Sequence, residues 1–138
     1  MESAMGEAIV AAVTARVRSF EAAERARDPE RLLAHYASAP GFRFYHDGRR
    51  AAYDVVAAGV RKALPGVRSL EVAYGDVEVS VLSPDCALVS ATFRREMVID
   101  GSGAAVRHQG GVSLVWRNID GQWLIVHGHI SHPLEGAK

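Results

Sequence analysis

The chain has 138 residues, of which 49% are hydrophobic and 23% charged, and its formal net charge is zero. This length predicts one domain spanning residues 1–138, with enough chain to bury a core without cross-links. A neutral protein is a poor match for nucleic acid or an anionic membrane, since both favour a basic surface. The single cysteine, Cys86, excludes an internal disulfide. No leader and no apolar run of membrane-spanning length is apparent, so we expect a cytoplasmic protein.

The first half of the chain is predicted to be mainly helical. A helix over about residues 5–27 is indicated by apolar residues that recur at helical spacing, namely Ile9, Val13, Val17 and Phe20. Asp28-Pro29-Glu30 predicts the start of a short second helix, because Asp can cap it and Pro fits its first position. A short strand over residues 42–45 and a turn at 46–48 precede a third helix over about residues 51–64.

Everything after residue 67 predicts antiparallel strands. Apolar residues fall on even positions from 70 to 74 and on odd positions from 77 to 81. A change of phase beside Gly75 predicts a β-bulge, which bends the strand. Further strands are expected over 86–99, up to 116, and over 123–131, with a tight hairpin turn at Asp120-Gly121. The expected fold class is α+β, with the N-terminal helices packed in a strongly curved antiparallel β-sheet.

The two hairpin turns suggest a strand register. They place Arg94 opposite His108, and Val112 opposite Gly128. One face of the sheet would then be an apolar bowl formed by Thr92, Arg94, Val106, His108, Gly110, Val112, Leu114, Trp116, Leu124, Val126, Gly128 and Ile130. The reverse face would carry Phe93, Arg95, Arg107, Gln109, Ser113, His127, His129 and Ser131.

An apolar bowl with a few polar groups is typical of a small-molecule site. In the functional interpretation Arg94 binds an anionic or carbonyl oxygen and His108 moves a proton. In the alternative, Arg94 pairs with Glu96 at a solvated edge and His108 is a rim residue. His46 and Asp47 form either a base with its orienting partner or only a polar turn. The candidate substrate-binding residues are Tyr36, Tyr45, Tyr53, Val112, Trp116 and Ile130.

The last strand places two imidazoles on the reverse face, at His127 and His129, and His132 follows three residues later. Such spacing can hold zinc. No carboxylate or cysteine lies nearby in sequence, however, and half-polar residues of this kind suit a homodimer interface. We therefore expect a homodimer through this face, and neither a metal nor an organic cofactor.

The C-terminal part of the chain contains the motif W-x-x-x-D-G-x-W-x-I-V-H-x-H-x-S, carried by Trp116, Asp120, Gly121, Trp123, Ile125, Val126, His127, His129 and Ser131. This motif and the order of the elements resemble the SnoaL-like branch of the nuclear transport factor two superfamily. The last strands are also similar to the association domain of calcium/calmodulin-dependent protein kinase II. The resemblance implies a cone-shaped fold with a pocket at its open end and frequent dimerisation through the sheet.

The superfamily includes isomerases, dehydratases, polyketide cyclases and non-catalytic binders, so the resemblance leaves the activity open. One hypothesis is a cofactor-independent enzyme that isomerises, dehydrates or cyclises a mostly apolar substrate. Arg94 would then stabilise negative charge on oxygen, while His108, or His46 helped by Asp47, moves the proton. The other hypothesis is a non-catalytic ligand-binding or assembly domain like the kinase hub. Arg94 falls on one of several arginine positions in the hub pocket, but Val106 and Ile130 stand at others, which argues against the same anionic ligand.

Overall fold

The computed structural model describes residues 3–133. Its elements, in chain order, are α1 (Ala4–Arg25), α2 (Pro29–Leu33), β1 (Arg43–His46), β2 (Arg49–Ala51), α3 (Tyr53–Ala63), β3 (Val67–Ser83), β4 (Cys86–Ile99), β5 (Ala105–Ile119) and β6 (Gln122–Ser131). The strands form one sheet in the order β2-β1-β6-β5-β4-β3. Neighbouring strands are antiparallel except β1 and β6, which are parallel. The helices pack in the curved sheet, so the expected α+β cone is confirmed. Within residues 3–133, no helix combines the length and the apolar character that a membrane crossing needs.

Both N-terminal helices begin at the residues that their capping chemistry requires. The Ser3 hydroxyl accepts a hydrogen bond from the Gly6 N–H at the start of α1. At the start of α2, Asp28 caps the Arg31 N–H and Pro29 occupies the first turn, as predicted. The predicted apolar stripe of α1 is buried in the core.

The edge strand β3 is bent at the predicted bulge and is held there by α1. Its pairing with β4 shifts between Gly75 and Glu78, and Asp76 has a φ of 49°. Glu21 on α1 accepts a hydrogen bond from the Tyr74 N–H at 2.8 Å. Arg18 donates to the Tyr74 carbonyl at 3.0 Å. These side chains satisfy backbone groups that an edge strand leaves without a strand partner.

The register between β4 and β5 differs by one residue from the prediction. Arg95, not Arg94, lies opposite His108, and Arg94 lies opposite Gln109. The turn between β4 and β5 is centred between residues 101 and 102. Each odd-numbered residue of one strand therefore pairs with an even-numbered residue of the other. The side-chain period of a strand is two, and the error therefore exchanges the faces of β4. Phe93 and Arg95 point inward, while Thr92 and Arg94, which we predicted inside, point outward.

A second bulge, in β6, was not predicted. Trp116 pairs with Ile125 and Val115 pairs with His127, so Val126 has no partner in β5. The bulge exchanges the faces of the first half of β6. Trp123 and Ile125 are buried in place of Leu124 and Val126. Beyond the bulge, Val112 lies opposite Ile130 rather than the predicted Gly128, which pairs with Leu114. The difference is two residues, so Gly128 and Ile130 still face inward as predicted. The preceding turn has Asp120 and Gly121 at positive φ, which confirms the predicted tight hairpin.

The short strands β1 and β2 extend the sheet beyond β6, and β2 forms its second edge. The sequence predicted β1 but not β2. In the parallel pairing Phe44 lies beside Gly128, Tyr45 beside His129 and His46 beside Ile130. A Cβ atom at Gly128 would collide with the Phe44 ring, so only glycine permits this approach. Phe44 and His46 therefore face inward, and the turn between β1 and β2 lies next to the C-terminal end of β6.

Candidate functional site

An open cleft of about 940 Å³ lies between α3 and the inner face of the sheet. Apolar side chains from α3, the turn after it, β1, β3 and β4 form its walls, among them Phe44, Val56, Val60, Leu64, Leu70 and Met97. The polar side chains that line it are Glu24, His46, Asp47, Arg95, Arg107, His108, Gln109 and His132. An apolar cleft with a small set of convergent polar groups is the usual form of a small-molecule site.

Asp47 and His132 form a hydrogen-bonded pair at the mouth of the cleft. The His132 backbone N–H donates to Asp47 Oδ1 at 2.9 Å, and His132 Nδ1 lies 2.9 Å from Asp47 Oδ2. Because a carboxylate only accepts, Nδ1 carries the proton. In the neutral ring, Nε2 then has a free lone pair, and it has no hydrogen-bond partner among residues 3–133. The side-chain hydrogen bond to His132 is the main cause that lowers the pKa of Asp47.

Two further imidazoles surround the His132 ring. The His46 and His108 ring centroids each lie 5.2 Å from that of His132, and the Phe93 ring packs edge-on against it at 5.4 Å. His46 Nδ1 is 3.7 Å from Asp47 Oδ2. Burial, reinforced by the nearby charges of His132 and Arg95, lowers the pKa of His108. A lowered pKa leaves the His108 imidazole neutral at pH 7, the form that accepts a proton.

A buried ion pair forms the floor of the cleft. Arg95 Nε donates to Glu24 at 2.6 Å, and the Tyr74 hydroxyl donates to the other Glu24 oxygen at 2.7 Å. The side chains of Arg95 and Glu24 are only 14% and 8% exposed. The Arg95 guanidinium also lies 5.1 Å from the centre of the Phe93 ring, a cation–π distance. Burial raises the pKa of Tyr74 well above its usual value, so its hydroxyl stays protonated.

The structure brings together three of the four predicted catalytic residues. His46, Asp47 and His108 all line the cleft. The fourth, Arg94, is exposed on the outer face and does not line the cleft. It lines an adjoining hollow of about 600 Å³, which shares Arg95, Arg107, His108 and Gln109 with the cleft. Arg95 occupies the inward position that we predicted for Arg94.

The predicted substrate-binding residues lie elsewhere. Tyr45 faces outward, with its ring 5.9 Å from those of both His127 and His129. Tyr36 packs edge-to-face against Phe20, and Tyr53 is close to the core beside Phe42. The other three are buried in the core: Val112, Trp116 and Ile130. Within residues 3–133, the cleft lining contains none of these six side chains.

Sequence reasoning missed Glu24, Arg95 and His132 as site residues. Glu24 could have been found, because it follows Val17 and Phe20 at the spacing of the buried helical stripe. A carboxylate on such a stripe needs a buried partner. Arg95 was missed because the predicted register between β4 and β5 was wrong by one residue. His132 gave no local signal, since its contact with Asp47 depends on the parallel pairing of β1 with β6.

The sequence profile of the SnoaL-like domain family matches residues 13–135. The chain belongs to this family. No curated protein matches it. Among solved structures, a candidate dehydratase of the NTF2-like family from Streptomyces avermitilis has a TM-score of 0.81 at 20% identity, covering 93% of this chain and 98% of that one. A ketosteroid isomerase-like protein from Erwinia carotovora atroseptica has a TM-score of 0.74 at 20% identity, covering 88% and 94%.

The resemblance to the kinase association domain is also found among solved structures. A candidate calcium/calmodulin-dependent protein kinase II association domain from Xanthomonas campestris has a TM-score of 0.74 at 21% identity, covering 89% of this chain and 86% of that one. The predicted resemblance to the SnoaL-like branch and to this association domain is therefore confirmed. At these identities the likeness to solved structures shows the fold alone.

Proposed function

We propose that this protein is a cofactor-independent enzyme that isomerises, dehydrates or cyclises a mostly apolar small molecule by acid–base chemistry. The observation that carries the proposal is the Asp47–His132 pair beside His108 in an apolar cleft. The names of two similar structures, a candidate dehydratase and a ketosteroid isomerase-like protein, support the same class of reaction.

Each polar group has a role in such a reaction. His108, neutral at pH 7, can take a proton from the substrate and return it. Asp47 fixes the tautomer of His132, so that its free lone pair lies on Nε2, a buried atom of the ring that packs against His108. Arg95 takes the part first assigned to Arg94, stabilising negative charge on a substrate oxygen. Its guanidinium has five N–H donors, more than Glu24 and Tyr74 engage.

The test is proton exchange on a panel of cyclic ketones in deuterated water, followed by NMR. We expect the protein to accelerate exchange beside the carbonyl of at least one ketone. His108→Gln and Asp47→Asn should each slow it by about 100-fold or more, since general acid–base groups contribute about 10²–10⁴-fold. His129→Gln is the matched control, because it removes an exposed imidazole on the opposite face. Exchange that is absent for every ketone, or unchanged in both cleft variants, would contradict the proposal.

The second candidate function is a non-catalytic, homodimeric ligand-binding or assembly domain. It is favoured by the half-polar outer face around Tyr45, His127 and His129, and by the association-domain neighbour. This function predicts that a cleft ligand raises the thermal unfolding midpoint without being converted. The single domain over residues 1–138 and the cytoplasmic location remain predictions under both functions.

A further inference from the structure

We propose that His46, Asp47 and His132 bind one divalent transition-metal ion of the zinc class at the mouth of the cleft. Two imidazoles and one carboxylate each offer a ligand atom, and these three atoms lie within 4.8 Å of one another. From the sequence we considered His127, His129 and His132 as zinc ligands and expected no metal. In the structure His127 and His129 lie on the outer face, away from the three residues proposed here.

The distances between the three side chains suit a small cation. Asp47 Oδ2 lies 2.9 Å from His132 Nδ1 and 3.7 Å from His46 Nδ1. Ligand bonds of about 2 Å in a tetrahedral zinc site separate neighbouring ligand atoms by about 3.3 Å. The observed pairs fall on either side of this value. The His46 side chain is 58% exposed, so it is free to turn toward an ion.

Backbone hydrogen bonds hold the Asp47 carboxylate in place. The Asp47 N–H donates to the Ile130 carbonyl at 3.1 Å, which ties the turn between β1 and β2 to β6. The His132 N–H donates to Asp47 Oδ1, so the carboxylate cannot swing away and Oδ2 is directed at the imidazoles. Hydrogen bonds that orient a ligand in this way are the usual second layer of a metal site.

The donor set decides the class of ion. Two nitrogens and one oxygen favour Zn²⁺, Co²⁺ or Ni²⁺ over Ca²⁺ and Mg²⁺, which prefer oxygen ligands alone. Three protein ligands leave one tetrahedral position for water. The His108 ring lies 5.2 Å from that of His132 and is not one of the three ligands.

Metal binding and the proposed acid–base reaction exclude each other. An ion on His132 Nδ1 displaces the Nδ1 proton, which now forms the hydrogen bond to Asp47. The tautomer that leaves a free lone pair on Nε2 is then lost. The metal-bound protein is therefore an inhibited form. This consequence for turnover rests on the proposed function, whereas the binding of the ion does not.

The experiment measures Zn²⁺ binding to the full chain by calorimetry after treatment with a chelator. We expect one ion per chain. His46→Gln should weaken binding by more than about 100-fold, since even loss of an outer-layer partner costs about 10–100-fold. Asp47→Asn is the second variant, because it keeps an oxygen for the His132 N–H but removes the charge. The matched control is His129→Gln, and thermal unfolding confirms that each variant is folded.

Two results would overturn the inference. One is the absence of Zn²⁺ binding to the chelator-treated chain. The other is binding of unchanged affinity in His46→Gln and Asp47→Asn, and its loss in the double variant His127→Gln/His129→Gln would further place the ion on the outer face. Because the readout is binding, it is independent of whether any substrate is turned over.

Discussion

Arg94 and Arg95 are adjacent residues of one type with opposite environments. Arg95 is buried against Glu24 and the Phe93 ring, whereas Arg94 is exposed on the outer face. Their difference follows from strand alternation alone. The pair therefore provides an internal comparison, in which one residue serves as the control for the other.

We predict that Arg95→Met lowers the free energy of unfolding by about 3–5 kcal/mol, because it leaves the Glu24 carboxylate buried without its cation. Arg94→Met should change it by no more than about 0.5 kcal/mol, as is usual for exposed positions. Urea unfolding of the two variants measures both values. Equal effects would mean that the inward position on β4 had been assigned to the wrong arginine.

At the scale of elements, the short helix α2 is held to α1 by a buried histidine. His35 is 3% exposed, and its ring packs edge-on against Phe20. Its Nδ1 lies 3.0 Å from the Arg31 carbonyl and Nε2 lies 2.9 Å from the Ser19 hydroxyl. The carbonyl only accepts, so Nδ1 carries the proton and Nε2 accepts from Ser19. This arrangement satisfies the neutral ring.

The buried ring predicts a pH dependence of stability. Burial lowers the pKa of His35 in the folded chain, with a further contribution from the charge of Arg16. Below about pH 6.5, the usual histidine pKa, the unfolded chain therefore binds a proton that the folded chain does not. Stability is complete above this pH and falls as the pH decreases toward the folded pKa.

Thermal unfolding at pH 7.5 and pH 5.5 tests this expectation. The midpoint should fall on acidification, and His35→Gln should reduce the fall. His127→Gln, which removes an exposed imidazole, should leave the full difference in place. If both variants respond to pH alike, His35 is not the group responsible.

At the scale of the whole molecule, the sheet separates two surfaces. The cleft lies on its inner face, whereas Tyr45, His127 and His129 cluster on its outer face. We predict that the protein is a homodimer through the outer face. The double variant His127→Ala/His129→Ala should weaken this dimer while ligand binding in the cleft is retained.

Sedimentation velocity over a range of concentrations measures the weakening. Arg61→Ala, an exposed change on α3, provides the control, because α3 lies on the cleft side of the sheet. A sedimentation profile of the double variant that matches that of the unchanged protein would count heavily against the dimer face.

Local sequence signals determined most of the elements of this protein, with the short strand β2 as an exception. The stripe of α1, the Asp28 cap and the bulge beside Gly75 were all predicted correctly, because each depends on residues close together in the chain. The motif from Trp116 to Ser131 identified the family for the same reason. Two of the residues with a role in the proposed reaction, Asp47 and His108, were also found from their position in sequence.

The tertiary structure decided which side chains meet. A one-residue register difference placed Arg95 rather than Arg94 in the cleft, because strand faces alternate with a period of two. The unpaired Val126 reversed the faces of part of β6. The contact of Asp47 with His132 spans 85 residues and depends on the parallel pairing of β1 with β6. The packing of the whole sheet determines this pairing, and no local sequence pattern predicts it.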